Sequence, residues 1–124
     1  MSVESSGKRV LLVDDDIGML TLVAVTLQQA GHTVELAGDG QEAWNRFQKT
    51  PFDIVVLDRN MPLISGDELA QRVKSASPHL PIILITGFIQ GIPHPEIFAA
   101  ILDKPFHAKE LLACIDRSFR VSGR

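Results

Sequence analysis

Two acidic groups and one lysine have the types and placement to do chemistry in this chain: Asp14-Asp15-Asp16, Asp58, and Lys104 ahead of Pro105. Each acidic group directly follows an aliphatic run, Val10-Leu11-Leu12-Val13 or Ile54-Val55-Val56-Leu57. Runs so rich in Val, Ile and Leu read as strands buried on both faces. Open α/β sheets place their sites at the carboxyl ends of parallel strands. Asp14, Asp15 and Asp58 are therefore expected to converge at one sheet edge. Carboxylates that close repel one another unless a cation joins them, so the expected site is a divalent-metal centre with one of the acids as the reacting group.

The elements that must deliver these residues alternate, strand-like then helix-like, five times. A first strand is expected over 8–13 and a helix over 17–30, with Leu20, Val23, Ala24, Leu27 and Ala30 at helical spacing and Gly31 as the stop. A second strand covers 33–37, and Asp39 caps a helix to residue 49 with Ala43 and Phe47 inward. The third strand covers 52–57 and the fourth 81–86; between them lies a helix over 67–75 with Leu69 and Val73 facing in. The fifth strand, 100–102, is short and weakly marked, and a last helix over 108–120 presents Leu111, Leu112, Ile115 and Phe119 to the sheet. Such (βα)5 alternation implies right-handed crossovers and a doubly wound, five-stranded parallel sheet covered on both faces. One domain over 8–121 is expected, with loose tails at 1–7 and 122–124.

Composition narrows the function classes. A chain of 124 residues supports one domain with a modest core. The net charge of −3 offers no basic patch for nucleic acid or for an anionic membrane. A single cysteine, Cys114, excludes an internal disulfide and suits a reducing compartment. The first eight residues are polar, unlike a signal peptide, and no stretch reaches the roughly 20 apolar residues of a membrane span. A cytoplasmic soluble domain is expected.

Four motifs in order, Val10-Leu-Leu-Val-Asp-Asp-Asp16, Leu57-Asp-Arg-Asn-Met-Pro62 with Gly66, Ile85-Thr-Gly87, and Asp103-Lys-Pro-Phe106, resemble those of the receiver domains of bacterial two-component response regulators. The resemblance covers residues 9–121 and implies a flavodoxin-like strand order, 2-1-3-4-5. It implies that Asp58 takes a phosphoryl group from a phosphohistidine on a histidine kinase or phosphotransfer protein. Mg²⁺ would be held directly by Asp15 and Asp58, through water by Asp14, and by the backbone carbonyl of Asn60. A hard cation of this kind suits a few carboxylates plus phosphate oxygens and water. Thr86 would bond a phosphoryl oxygen and Lys104 neutralise its charge, with a cis bond to Pro105 aiming the lysine inward.

Other residues take plainer roles. Asp16 reads as a helix cap, Met61 and Pro62 as structural, and Gly66 and Gly87 as backbone positions other residues resist. His32, His79, His94 and His107 lack ligand spacing and read as structural or solvated. Cys114 reads as packing, and Trp44 as half-exposed on the second helix.

Two departures from the family pattern bear on output. The switch aromatic three residues before the lysine is Ile101, so the usual aromatic readout, partner to Thr86, is in doubt. The stretch from Thr86 to Lys104 is short and broken by Gly91, Pro93 and Pro95, so the fourth helix is expected to be short or irregular, starting near Pro95 and running through Ile97, Phe98 and Ala100. Phe88 and Ile89 then lie in a loop near the site, where apolar bulk would restrict attacking water and lengthen the phosphoryl lifetime. His107 replaces the usual cap of the last helix, though Glu110 keeps half of a capping box.

The expected function is a phosphoacceptor that shifts between partner-binding states, catalysing only its own phosphotransfer and slow autodephosphorylation. No output domain is expected after Val121, so the chain is expected to be a stand-alone regulator or a receiver cut from a longer protein, the irregular fourth helix favouring a hybrid kinase or phosphorelay. The alternatives are a phosphorylation-independent interaction module and an Asp-nucleophile phosphatase. The latter wants a second Asp as proton donor where Asn60 stands.

Overall fold

In the computed structural model, which describes residues 7–120, five strands and four α-helices follow one another in chain order. The strands are β1 (Arg9–Val13), β2 (Thr33–Ala37), β3 (Ile54–Asp58), β4 (Ile82–Thr86) and β5 (Ala100–Asp103). All pair in parallel, in the order β2-β1-β3-β4-β5, which is the order expected. The expected tails lie outside the described residues, apart from Gly7.

The three central strands take their positions from their composition. β3 and β4 are buried at all five residues, and β1 at four of five, so alternate side chains feed two separate cores. On one face Val10, Leu12, Ile54, Val56, Ile83 and Ile85 pack with helices α1 (Ile17–Gln29) and α4 (Ala108–Arg120). On the other Leu11, Val13, Val55, Leu57, Ile82 and Leu84 pack with α2 (Gly40–Lys49) and α3 (Gly66–Ala76). β2 and β5 lie at the edges and are only half-buried for most of their length.

Local chemistry sets the helix ends. The Asp16, Asp39 and Ser65 side chains each accept a hydrogen bond from the amide three residues on, at Met19, Glu42 and Glu68, capping α1, α2 and α3. Gly31 ends the first helical segment with φ of 100°, the left-handed conformation that only glycine adopts freely. Ala30, expected within the helix at its apolar spacing, is instead the exposed C-cap of α1. At α4 the Glu110 carboxylate accepts from the His107 amide at 2.8 Å, the expected half capping box.

The main correction falls between β4 and β5. The fourth helix expected through Ala100 is reduced to one 3-10 turn, Pro95–Ile97, and Ala100 opens β5. Pro95 suits the first position of the turn, but the Phe98 backbone is already extended, so the turn ends after Ile97. Strand ends shift by a residue or two: Lys8, Phe52 and Pro81 fall outside β1, β3 and β4, β5 runs on to Asp103, and Asp58 is the last residue of β3 rather than the first after it.

Candidate functional site

The register carries the acids to one edge. Val13 pairs with Leu57 and Asp58 with Ile85, so the ends of β1, β3 and β4 lie side by side. Asp14, Asp15 and Asp58 each offer a carboxylate oxygen, and the three oxygens lie within 4.8 Å of one another. Asp14 and Asp58 are buried and Asp15 is exposed. Asp16, expected to be a cap, is one.

Lys104 reaches into this cluster from beyond β5. Its Nζ lies 2.8 Å from Asp58 Oδ1 and 3.5 Å from Asp14 Oδ2. The peptide bond to Pro105 is cis, and the Lys104 amide donates to the Thr86 carbonyl at 2.8 Å, tying the lysine backbone to the end of β4. Burial works against its charged form, but the hydrogen bond to Asp58 and the charges of Asp14 and Asp58 outweigh that and raise its pKa. Lys104 is therefore a fixed cation at neutral pH. Burial pushes the Asp14 carboxyl above its ordinary range, and the Asp58 charge adds to the push; the Asp16 amide and Lys104 pull back only in part. One ammonium does not satisfy the two buried acids and the third at the rim.

That shortfall is the test of a metal. Three carboxylates converge with no second basic side chain bonded to them among the described residues. An all-oxygen, multiply anionic donor set fits a hard divalent cation such as Mg²⁺ and not a thiolate-seeking metal.

Thr86 is buried at the last position of β4. Its hydroxyl accepts from the Phe88 amide at 3.0 Å and donates to the Phe88 carbonyl at 3.1 Å. Asn60 is exposed, two residues beyond Asp58. Ile101 sits away from the acids, half-buried in β5 and packed on the core of the α2–α3 face. Neither Gly66 nor Gly87 has positive φ, which corrects their expected role. Gly66 is required by close approach, since a Cβ there would collide with the Asp58 carbonyl and the Arg59 Cα; at Gly87 a Cβ would meet Lys104 Cβ at an ordinary 3.9 Å.

The plainer readings hold for three residues. His32 Nδ1 accepts from the Lys8 amide, Cys114 is buried in the core, and Trp44 is half-buried and stacks on Phe47. One residue at the site was not singled out. Arg59, beside Asp58, spans from Asp67 of α3 to three carbonyls of the loop after β4. The only sequence signal was a cation inside the third-strand motif.

Comparison with known proteins agrees with this architecture. Residues 10–116 match the response regulator receiver domain family. The response regulator receiver protein CpdR of Brucella abortus is 36% identical over 114 residues, covering 89% of this chain and 95% of the relative. The chain spans less than half the length of several transcriptional regulators it also matches. Among solved structures, the chemotaxis response regulator CheY4 of Vibrio cholerae is 35% identical with a TM-score of 0.82, covering 91% of this chain and 99% of that one. TrrA of Thermotoga maritima, solved in complex with Mg²⁺ and a beryllium fluoride, is 30% identical with a TM-score of 0.83, covering 90% and 98%.

Proposed function

The chain belongs to the response regulator receiver domain family of two-component systems, and we propose that it is a working phosphoacceptor whose acceptor is Asp58. The observation that carries this reading is the Lys104 ammonium held between Asp58 and Asp14 beside a third acid. A pseudo-receiver that kept only the fold would have no need for three converging carboxylates around a half-buried cation.

In the proposed reaction an Asp58 carboxylate oxygen attacks the phosphorus of a phosphohistidine. The new O–P bond forms as the N–P bond breaks, and the departing imidazole takes a proton. A carboxylate is a weak nucleophile, so positioning and charge neutralisation must supply the rate. Lys104 neutralises the phosphoryl oxygens, and the Thr86 hydroxyl, at the same sheet edge, turns from Phe88 to donate to one of them. Asp15, Asp58 and the Asn60 carbonyl, with Asp14 through water, would hold Mg²⁺, which would supply further charge neutralisation. TrrA, crystallised with Mg²⁺ and a beryllium fluoride, supports this ligand pairing by likeness.

The chain would act on its own aspartyl phosphate rather than turn over a separate substrate. Its partners would be a histidine kinase or phosphotransfer protein as donor and an output partner that distinguishes the two states. No helix among the described residues is long and apolar enough to cross a membrane, and we place the donor encounter in the cytoplasm. With a net charge of −3, nucleic-acid contact is assigned to other chains or domains. Intact mass after incubation with acetyl phosphate, with and without Mg²⁺, tests the reading. A Mg²⁺-dependent gain of one phosphoryl group that vanishes in Asp58→Asn is expected. No gain under any condition leaves a phosphorylation-independent interaction module.

A further inference from the structure

Arg59 follows the proposed acceptor directly, and its backbone is fixed at both ends: its amide donates to the Ile85 carbonyl, and its carbonyl accepts from the Gly66 amide. Its side chain is mostly buried, at 17% exposure. The guanidinium distributes its donors in two directions. Nε faces Asp67 Oδ2 at 3.2 Å. Nη1 donates to the carbonyls of Phe88 and Gln90, both at 3.2 Å, and Nη2 to that of Gly91 at 2.9 Å. Four of its five N–H groups are thereby used on one helix and one loop.

That loop is the segment left without a full fourth helix, and its Phe88 and Ile89 side chains are 64% and 49% exposed. Besides Arg59, the Thr86 hydroxyl anchors this loop, holding both the amide and the carbonyl of Phe88. The Phe88 carbonyl accepts from Thr86 and Arg59 together, and a carbonyl oxygen has two lone pairs for the purpose. When the Thr86 hydroxyl turns to a phosphoryl oxygen it surrenders its bond to that carbonyl. Arg59 then remains as the anchor.

Building on the phosphoacceptor reading, we propose that Arg59 is a positioning residue: it latches the loop after β4 to the backbone of the phosphorylated aspartate, so that the Phe88 backbone stays at the end of β4 while Thr86 changes partner. A loop held at the end of β4 limits the approach of water from that side. Hydrolysis requires water to attack phosphorus, break the O–P bond, and release inorganic phosphate and the Asp58 carboxylate. The guanidinium's planar fork is what the latch requires, because an ammonium cannot bond Asp67 and three spread carbonyls at once.

The test compares wild type, Arg59→Ala and Arg59→Lys by residue-resolved amide exchange before phosphorylation, and by the decay of the acetyl-phosphate-loaded protein. The Phe88 amide should exchange about tenfold faster in both variants, the loss of roughly one charge-assisted bond, while amides of Val56 and Ile83 keep wild-type protection. Phosphoryl decay should quicken several-fold in both. Arg59→Lys retains stem and charge, so it carries the test if Arg59→Ala fails to fold. Wild-type exchange at Phe88 in the variants overturns the latch, as does wild-type decay in Arg59→Lys, which would make Arg59 a simple charge. If wild type takes up no phosphoryl group the acceptor reading fails by itself, and Phe88 exchange still decides whether the latch exists.

Discussion

At the scale of single residues, the site is a balance of charge that Lys104 settles only in part. Its ammonium touches both buried acids, and a preorganised cation aimed at developing charge is typically worth 10²–10³ in rate, on the order of one oxyanion donor. Lys104→Met should therefore slow phosphorylation by acetyl phosphate by about that factor, measured as the rate of mass gain, with the fold kept. A variant phosphorylated at the wild-type rate would remove Lys104 from the chemistry. Asp14, Asp15, Asp58 and Lys104 were legible in the sequence because each acid ends an aliphatic run, and buried parallel runs have only one edge to share. Arg59 was not, because its role depends on where a loop distant in sequence comes to lie. The same is true of the Thr86 hydroxyl, whose present partner is Phe88.

At the scale of elements, the strongest constraint is the approach of α3 to the end of β3. The first residue of α3, Gly66, lies against the Asp58 carbonyl and the Arg59 Cα, and its amide donates to the Arg59 carbonyl. A methyl group there must push the helix off the strand that carries the proposed acceptor. Gly66→Ala should cost about 1–3 kcal/mol in denaturant unfolding, the usual range for overpacking; an unchanged midpoint would show the contact to be soft. Ile101 makes the opposite case. It is half-buried and packs on the α2–α3 core, so Ile101→Ala should cost about 1–3 kcal/mol and leave the phosphorylation rate near wild type. A large rate change would return a switching role to that position. The loss of the fourth helix was legible in Gly91, Pro93 and Pro95. Its extent was not, because a 3-10 turn and a short strand compete for Ala100 and pairing with Ile83 decides in favour of the strand.

At the scale of the whole molecule, metal, proton and fold are linked through Asp14. The fold order was legible because alternating buried runs and amphipathic segments leave few topologies, and the two cores confirm which face of each helix is apolar. The energetic consequence of bringing three acids together is not written in any one segment. In the folded chain the Asp14 carboxyl is held above its ordinary value of 3.8, burial being the chief cause. The folded state thus binds that proton more tightly than the unfolded state does. Its contribution to stability is complete below 3.8 and is lost as pH rises through the raised folded value. Near neutrality the metal-free protein therefore carries a buried charge that Lys104 and the Asp16 amide compensate only in part, and a bound divalent cation would relieve it. A cation at 100 times its dissociation constant adds about 2.7 kcal/mol of stability. Thermal melts with and without Mg²⁺ should accordingly differ by several degrees at neutral pH, and the difference should shrink as pH falls and protons occupy Asp14 in place of the ion. Asp14→Asn removes the charge itself, so it should melt higher than metal-free wild type and lose most of the Mg²⁺ shift. A Mg²⁺ shift that is independent of pH and retained in Asp14→Asn would place the cation elsewhere than the cluster formed by Asp14, Asp15 and Asp58.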